Sequence, residues 1–304
     1  MFYKNDWLSW TYDGVKFGRK TTPHSKFELQ FKKTVNQPLK SHKEELLENT
    51  RTIRERFNDP FDLLFSGGVD SEVILRCHHE LKILINVFIF KYENDYNVHD
   101  VRHALRICDE LNIKPNLIDF NLQKFFENDA YDIWTKTYVK KSGRLPHMKM
   151  IEYLDNMPIM GDSEPLWEFD NNSWKFCFEE VCHSQSIYCS SINRPIIADW
   201  YEFSPEILLS HALLPKIKLL FKNKNHDDLL FDRTKYFIYK EIWPEIMIRP
   251  KRNGYEGFNA HPKYWDPKLT FMQEFQNKFI TSTHISNEIF QYNEEELFTL
   301  LSFP

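Results

Sequence analysis

A chain of 304 residues, 42% hydrophobic and 27% charged, has the composition of a globular protein that can bury a full core in one large domain or two. A formal charge of −5 and a pI near 6.2 give no basic footprint for nucleic acid. No apolar run approaches the roughly 20 residues of a membrane helix, and Met1 to Asp6 lacks the apolar core of a signal peptide, so a cytoplasmic protein with neither membrane nor nucleic-acid partner is expected.

In chain order, Trp7 to Tyr12, Asp13-Gly14 and Val15 to Phe17 predict a hairpin with a type I′ turn. Leu39 to Phe57 has helical spacing at Leu46, Leu47, Ile53 and Phe57, with Ser41 as N-cap and Glu44 three residues on. From Phe61 strands and helices alternate: strand 62–65, helix 71–80, strand 83–90, helix 98–111, strand 116–120, helix 148–154, strand 157–160. That alternation predicts an α/β fold, a parallel sheet with helices on both faces, whose ligands sit beyond the carboxyl ends of the strands where the strand order reverses. Trp167 to Phe169 and Trp174 to Phe176 read as a second hairpin, Ser204-Pro205 opens a helix to about Leu214, and 294–301 reads as a surface helix. The basic stretch Lys216 to Lys224 reads as a solvated helix face.

The chemistry concentrates at Ser66-Gly67-Gly68-Val69-Asp70-Ser71, between an apolar strand and a helix start. Paired glycines let the backbone approach a polyphosphate, and the helix aims its free N–H groups at the anion. A carboxylate inside an anion loop needs a divalent cation between itself and phosphate, so Asp70 reads as a magnesium ligand. No Gly-Lys-Ser/Thr follows, which excludes a Walker loop. Glycine is scarce, at eight residues, and five of them (Gly67, Gly68, Gly161, Gly254 and Gly257) fall in three short segments expected to form one site. The five cysteines, Cys77, Cys108, Cys177, Cys182 and Cys189, are odd in number without Cys-x-x-Cys, which argues against a disulfide framework. The spacings of Cys177, Cys182, His183 and Cys189 fit zinc poorly, and buried or free thiols are expected.

The loop resembles that of the N-type ATP pyrophosphatases, or PP-loop enzymes, whose signature is Ser-Gly-Gly-x-Asp-Ser and which cleave ATP to AMP and pyrophosphate. Within that superfamily the chain resembles the synthetase domain of asparagine synthetases over roughly Phe61 to Phe258. Phe203 to Pro215 is similar to their Phe-Leu-Asp-x-x-Leu-Val-x-x-Ala-Leu-x-Leu-Pro stretch, and Lys235 to Phe258, with Arg249-Pro250-Lys251, to their Lys-x-x-x-Arg and Arg-x-Lys-x-Gly-Phe ending. Ile159 to Glu164 stands where they carry Gly-x-Gly-x-Asp-Glu. The resemblance implies an adenine nucleotide alpha hydrolase-like fold and a ligase that adenylates a carboxylate with ATP and Mg2+, then passes the acyl group to ammonia or an amine. It places ATP on Ser66 to Ser71, with adenine read by backbone near Leu64, Ile89 and Gly161. It gives magnesium to Asp70 with Asp162 or Glu164, and the leaving pyrophosphate to Lys251 supported by Arg249.

Departures matter as well. Position 2 is Phe2 rather than a nucleophilic cysteine and a short lead-in precedes the loop, so no glutaminase is expected here; nitrogen comes as ammonium, a substrate amine, or ammonia from a separate glutaminase. Pro165 follows Glu164, and Glu206 replaces the family aspartate, which leaves the carboxylate substrate open. Expected units are a 1–58 lead-in, a 59–260 synthetase domain and a 261–304 helical extension. The rival readings are a PP-loop enzyme modifying tRNA or a nucleobase, by thiolation or amidation, and a non-catalytic nucleotide-binding protein.

Overall fold

The structure, a computed structural model, describes residues 7–22, 25–31, 39–139, 142–162, 166–170, 173–178, 181–223, 232–248, 285–286 and 292–293. The expected hairpin forms from β1 (Leu8–Tyr12) and β2 (Val15–Lys16), with Asp13 and Gly14 both left-handed at φ 49° and 79° as a type I′ turn requires. A third strand, β3 (Phe27–Phe31), pairs antiparallel with β1 along its whole length. Every residue of β1 is buried, and the Trp7 indole donates to the carbonyls of Glu202 and Phe203, each at 3.0 Å. Helix α1 (His42–Arg56) starts with the expected capping box, Ser41 and Glu44 satisfying each other's backbone N–H groups.

The central sheet is built from β4 (Phe61–Leu64), α2 (Val69–Glu80), β5 (Asn86–Tyr92), α3 (Val98–Glu110), β6 (Asn116–Phe120), α4 (Leu122–Asn128), α5 (Ala130–Thr137), α6 (Leu145–Ile151) and β7 (Met157–Ile159). Its four strands run in the order β6-β5-β4-β7, all parallel. The chain steps outward from β4 to β5 and β6, then returns to place β7 on the other side of β4, so the order reverses between β4 and β7. Ile197 extends the sheet beyond β7, its N–H donating to the Pro158 carbonyl at 2.9 Å. Successive strand residues alternate between two cores. Phe61, Leu63, Val87 and Ile89 join α1, α2 and α3 on one face, while Leu64, Phe88 and Phe90 join α4, α5 and α6 on the other. This is the α/β fold anticipated for a PP-loop protein.

Two boundaries differ from expectation. The strand expected at 83–90 runs instead from Asn86 to Tyr92, because α2 closes with Lys82 left-handed at φ 54° and the Ile83 N–H returning to the His78 carbonyl. That turn consumes Ile83 and leaves Leu84 92% exposed, so the first three residues of the apolar run are not strand. The helix expected at 148–154 is Leu145–Ile151, begun by Pro146 in its first turn.

After β7 come the antiparallel pair β8 (Leu166–Asp170) and β9 (Ser173–Phe178), α7 (Val181–Ser191), a 3-10 turn (Trp200–Glu202), α8 (Pro205–Ala212), α9 (Pro215–Asn223) and α10 (Asp232–Ile242). Short strands β10 (Ile285–Ser286) and β11 (Tyr292–Asn293) both pair with β9. Ser204 caps α8 as expected, accepting from the Ile207 N–H. The surface helix expected at 294–301 lies outside the described residues. Among the described residues, no helix is long and apolar enough to cross a membrane.

The amino end of the sheet is locked by a buried carboxylate. Asp62 in β4 is 0% exposed, and accepts from the N–H groups of Asp155 and Asn156 and the side-chain amides of Asn86 and Asn156, at 2.8–2.9 Å. Asp62→Ala removes the one acceptor shared by four donors on residues that water partly reaches, and is expected to cost about 2–3 kcal/mol of unfolding free energy, read as a shift in the urea midpoint with an unchanged slope. A loss under about 1 kcal/mol would mean that water takes the place of the carboxylate in the folded protein.

Candidate functional site

The loop is set by what surrounds it. Strand β4 ends at Leu64, and the Phe65 N–H still reaches the Phe88 carbonyl at 2.9 Å. The chain then turns through Ser66 and Gly67 to Gly68, the N-cap of α2. Gly67 is left-handed at φ 74°, and a Cβ there would come within 2.9 Å of the Asp100 carbonyl oxygen and 3.0 Å of the Ala104 nitrogen. Gly161, just past β7, lies so close to α2 that a Cβ would meet the Ser71 nitrogen at 2.8 Å. The two glycines let α3 and the end of β7 close against the loop from opposite sides.

Within the loop, the Ser66 hydroxyl accepts the Gly68 N–H at 3.2 Å, and the Ser71 hydroxyl donates to the Gly68 carbonyl at 3.0 Å. No side chain caps α2, so its positive end faces the turn without a protein anion on its first N–H groups. Ser66 is exposed, Gly68 partly so, and Val69 buried in the core beneath. The loop therefore offers the Ser66 hydroxyl and backbone donors outward at the sheet's switch point, the arrangement that accepts an anion, while the Ser71 hydroxyl is buried beneath it.

Asp70, in the first turn of α2, is 29% exposed. Its carboxylate oxygens lie 3.3 and 3.4 Å from the Lys235 ammonium, and its carbonyl accepts from the Tyr201 hydroxyl at 2.8 Å. Asp162, one residue past Gly161, is 14% exposed and bound by the Arg144 guanidinium at 2.5 Å and the Gln185 amide at 2.6 Å. Burial alone would raise the Asp162 carboxyl. Arg144 foremost, with the Gln185 amide and the Lys235 ammonium, outweighs that and holds it below the usual carboxylate range.

These groups suit a nucleotide-borne magnesium better than a protein cage. Among the described residues no three His, Cys, Asp or Glu side chains gather for a metal. Magnesium on a nucleotide needs only one or two carboxylates, with phosphate oxygens and water completing the shell. Asp70 fits that need and already faces a cation. Asp162 carries the same charge but is engaged by Arg144, while Glu164 lies outside the described residues, as do Arg249, Lys251, Gly254 and Gly257.

Of the positions expected at strand ends, Leu64 does end β4 and Gly161 follows β7. Ile89 does not sit at an end. It pairs with Leu117 in the middle of β5, which continues to Tyr92. The edge of β5 that outruns β4 is covered by Asn97, whose side chain takes the Phe90 carbonyl at 2.8 Å and the Tyr92 N–H at 2.9 Å. Beyond β5 and β6 a groove of about 470 Å³ opens between Lys91–Asp95 and Asp119–Asn121, apart from the loop. Its Glu93 carboxylate is taken by the Leu122 and Gln123 N–H groups of α4.

Lys235, Arg144, Gln185 and Tyr201 had no role assigned from sequence. Lys235 heads the segment that resembles the synthetase ending and could have been found there; the other three sit in no motif.

No family model matches the chain, and no curated protein matches it. Among solved structures it is similar to an NMN synthetase from Francisella tularensis, at 19% identity over 39% of this chain and 52% of that one, with a TM-score of 0.29. It is also similar to an NH3-dependent NAD synthetase from Campylobacter jejuni subsp. jejuni, at 16% identity over 78% and 93% of the chains, TM-score 0.36. A glutamine-dependent NAD+ synthetase from Acinetobacter baumannii matches at 14% identity over 44% and 30%, TM-score 0.30. The chain thus spans about half the length of the first and less than a third of the last. The functional reading rests on the residues of the loop and its neighbours.

Proposed function

We propose that this chain is a PP-loop ligase that cleaves ATP to AMP and pyrophosphate, adenylates a carboxylate and transfers the acyl group to ammonia or an amine, in the manner of the asparagine synthetase domain. The observation that carries the reading is the Ser66–Ser71 loop at the switch point of a parallel sheet, with Asp70 facing a cation. A triphosphate fits against the uncapped start of α2, its oxygens meeting backbone N–H groups and the Ser66 hydroxyl. Asp70 would hold magnesium, with Asp162 or Glu164 as second carboxylate; the ion supplies charge neutralisation for the phosphates. Arg249 and Lys251 are proposed to meet the charge that develops as pyrophosphate leaves the α-phosphorus. Leu64 and Gly161 remain the proposed backbone contacts of adenine, with Ile89 in the neighbouring strand β5.

The thiolating alternative needs a reactive thiolate. Burial pushes the Cys108 thiol up to about 11 and Cys189 to about 12, and raises Cys77 as well. These three are buried free thiols that would attack nothing at neutral pH. The side chains of Cys177 and Cys182 are outside the described set.

The test is to incubate the protein with ATP, Mg2+ and ammonium across a panel of carboxylates and identify the nucleotide product by mass spectrometry. AMP and pyrophosphate, formed only when a carboxylate is added, are expected. ADP as product, or tight ATP binding without turnover, would sink the ligase assignment.

A further inference from the structure

Lys235 stands where a metal on Asp70 would be. Its ammonium is nearly equidistant from both Asp70 oxygens, at 3.3 and 3.4 Å, and it also bears on Asp162. Helix α10 holds it there. The Trp243 indole at the far end of that helix donates to Glu80 at the end of α2, at 3.2 Å, so the two helices are tied at both ends. The Lys235 side chain is 23% exposed, and a flexible four-carbon stem lets its ammonium travel several ångströms without moving α10.

Two cations cannot share one carboxylate at this range without strong repulsion. We propose that Lys235 is the protein's own counter-cation at Asp70, so that divalent metal enters only together with a triphosphate, whose oxygens draw the ammonium off the carboxylate. The inference rests on the nucleotide reading above and adds an order to it. Without nucleotide, Lys235 neutralises Asp70 and keeps metal out. With a polyphosphate on the loop, the same ammonium finds new partners there and Asp70 is released to the incoming ion.

The experiment is Mn2+ binding followed by electron paramagnetic resonance, with and without α,β-methylene-ATP, on the wild-type protein, Lys235→Met, Lys235→Arg and Asp70→Asn. Wild type should bind Mn2+ weakly alone and tightly with the analogue. Lys235→Met should bind Mn2+ roughly tenfold more tightly than wild type in the absence of nucleotide, whereas Lys235→Arg should exclude it as wild type does. Asp70→Asn should lose binding under both conditions. Lys235→Gln gives the same comparison if the methionine variant lacks the wild-type thermal transition. Equal Mn2+ affinities of wild type and the neutral variants in the absence of nucleotide would overturn the role of Lys235, even if the analogue tightens Mn2+ binding in all of them. Failure of every protein to bind the analogue would instead overturn the nucleotide reading.

Discussion

Asp70→Asn is expected to lower the rate of AMP formation by at least about a thousandfold, the scale of losing one preorganised charge contact in phosphoryl chemistry. The substitution keeps the side chain's size and removes only its charge. Asp70 is partly exposed, its backbone is anchored by the Tyr201 hydroxyl, and α2 begins through its own Gly68-to-Glu72 hydrogen bond. The fold should therefore survive, losing about 0.5 kcal/mol from the favourable placement of an anion in the first helical turn. Paired measurements of AMP release and thermal unfolding separate the two effects. A variant that retains a tenth or more of the wild-type rate would remove Asp70 from the chemistry.

The second large effect concerns pH. His42, His78, His183 and His211 are at most 2% exposed. Burial pushes the His78 imidazole down to about 4, His183 and His211 to about 3, and His42 well below its ordinary value, with the neighbouring His211 adding to the effect on His42. An unfolded imidazole titrates near 6.5. Below that pH the unfolded chain binds protons that the folded protein refuses, so stability is full above the unfolded value and falls as pH drops toward the folded ones. Each histidine contributes a slope approaching ~1.4 kcal/mol per pH unit. His42, His78 and His211 together should remove on the order of 4 kcal/mol between pH 7.5 and 5.5, a large part of the whole stability of many domains, while the Glu202 carboxylate 3.7 Å from the His183 Nε2 favours that imidazole's charged form and offsets its share. Urea denaturation at the two pH values measures this directly. Equal stabilities would show that His42, His78 and His211 reach solvent or a carboxylate in the folded state.

What could be read from the sequence was local. Ser41 and Glu44 mark a helix start because the capping box lies within four consecutive residues, and Asp13-Gly14 marks a turn because few residues adopt left-handed φ cheaply. The Ser66–Ser71 loop was legible for the same reason, since its chemistry and its strand-to-helix setting are contiguous. Helices α4 and α5 were missed although Asn121 caps α4, accepting from the Lys124 N–H at 2.6 Å. Their apolar residues Leu122, Phe125, Phe126, Ile133 and Trp134 fall across two short helices joined at Asp129, which breaks the period. The partner of Asp70 lies 165 residues away on α10; Lys235 heads a segment with a recognisable resemblance, but neither segment's local pattern says that the two meet.

The anchoring of the amino-terminal hairpin has a bearing on how the protein is made. Trp7 reaches carbonyl groups 195 and 196 residues later, in the same turn whose Tyr201 holds the backbone of Asp70. On the ribosome, β1 is therefore complete long before its dock exists, and must wait with Trp7, Leu8 and Trp10 uncovered while the central sheet is translated. Contacts of such long range close slowly. Chaperone demand during synthesis should thus fall on this hairpin, and the segment that carries Asp70 should reach its final geometry only after α7 and the turn beyond it have emerged.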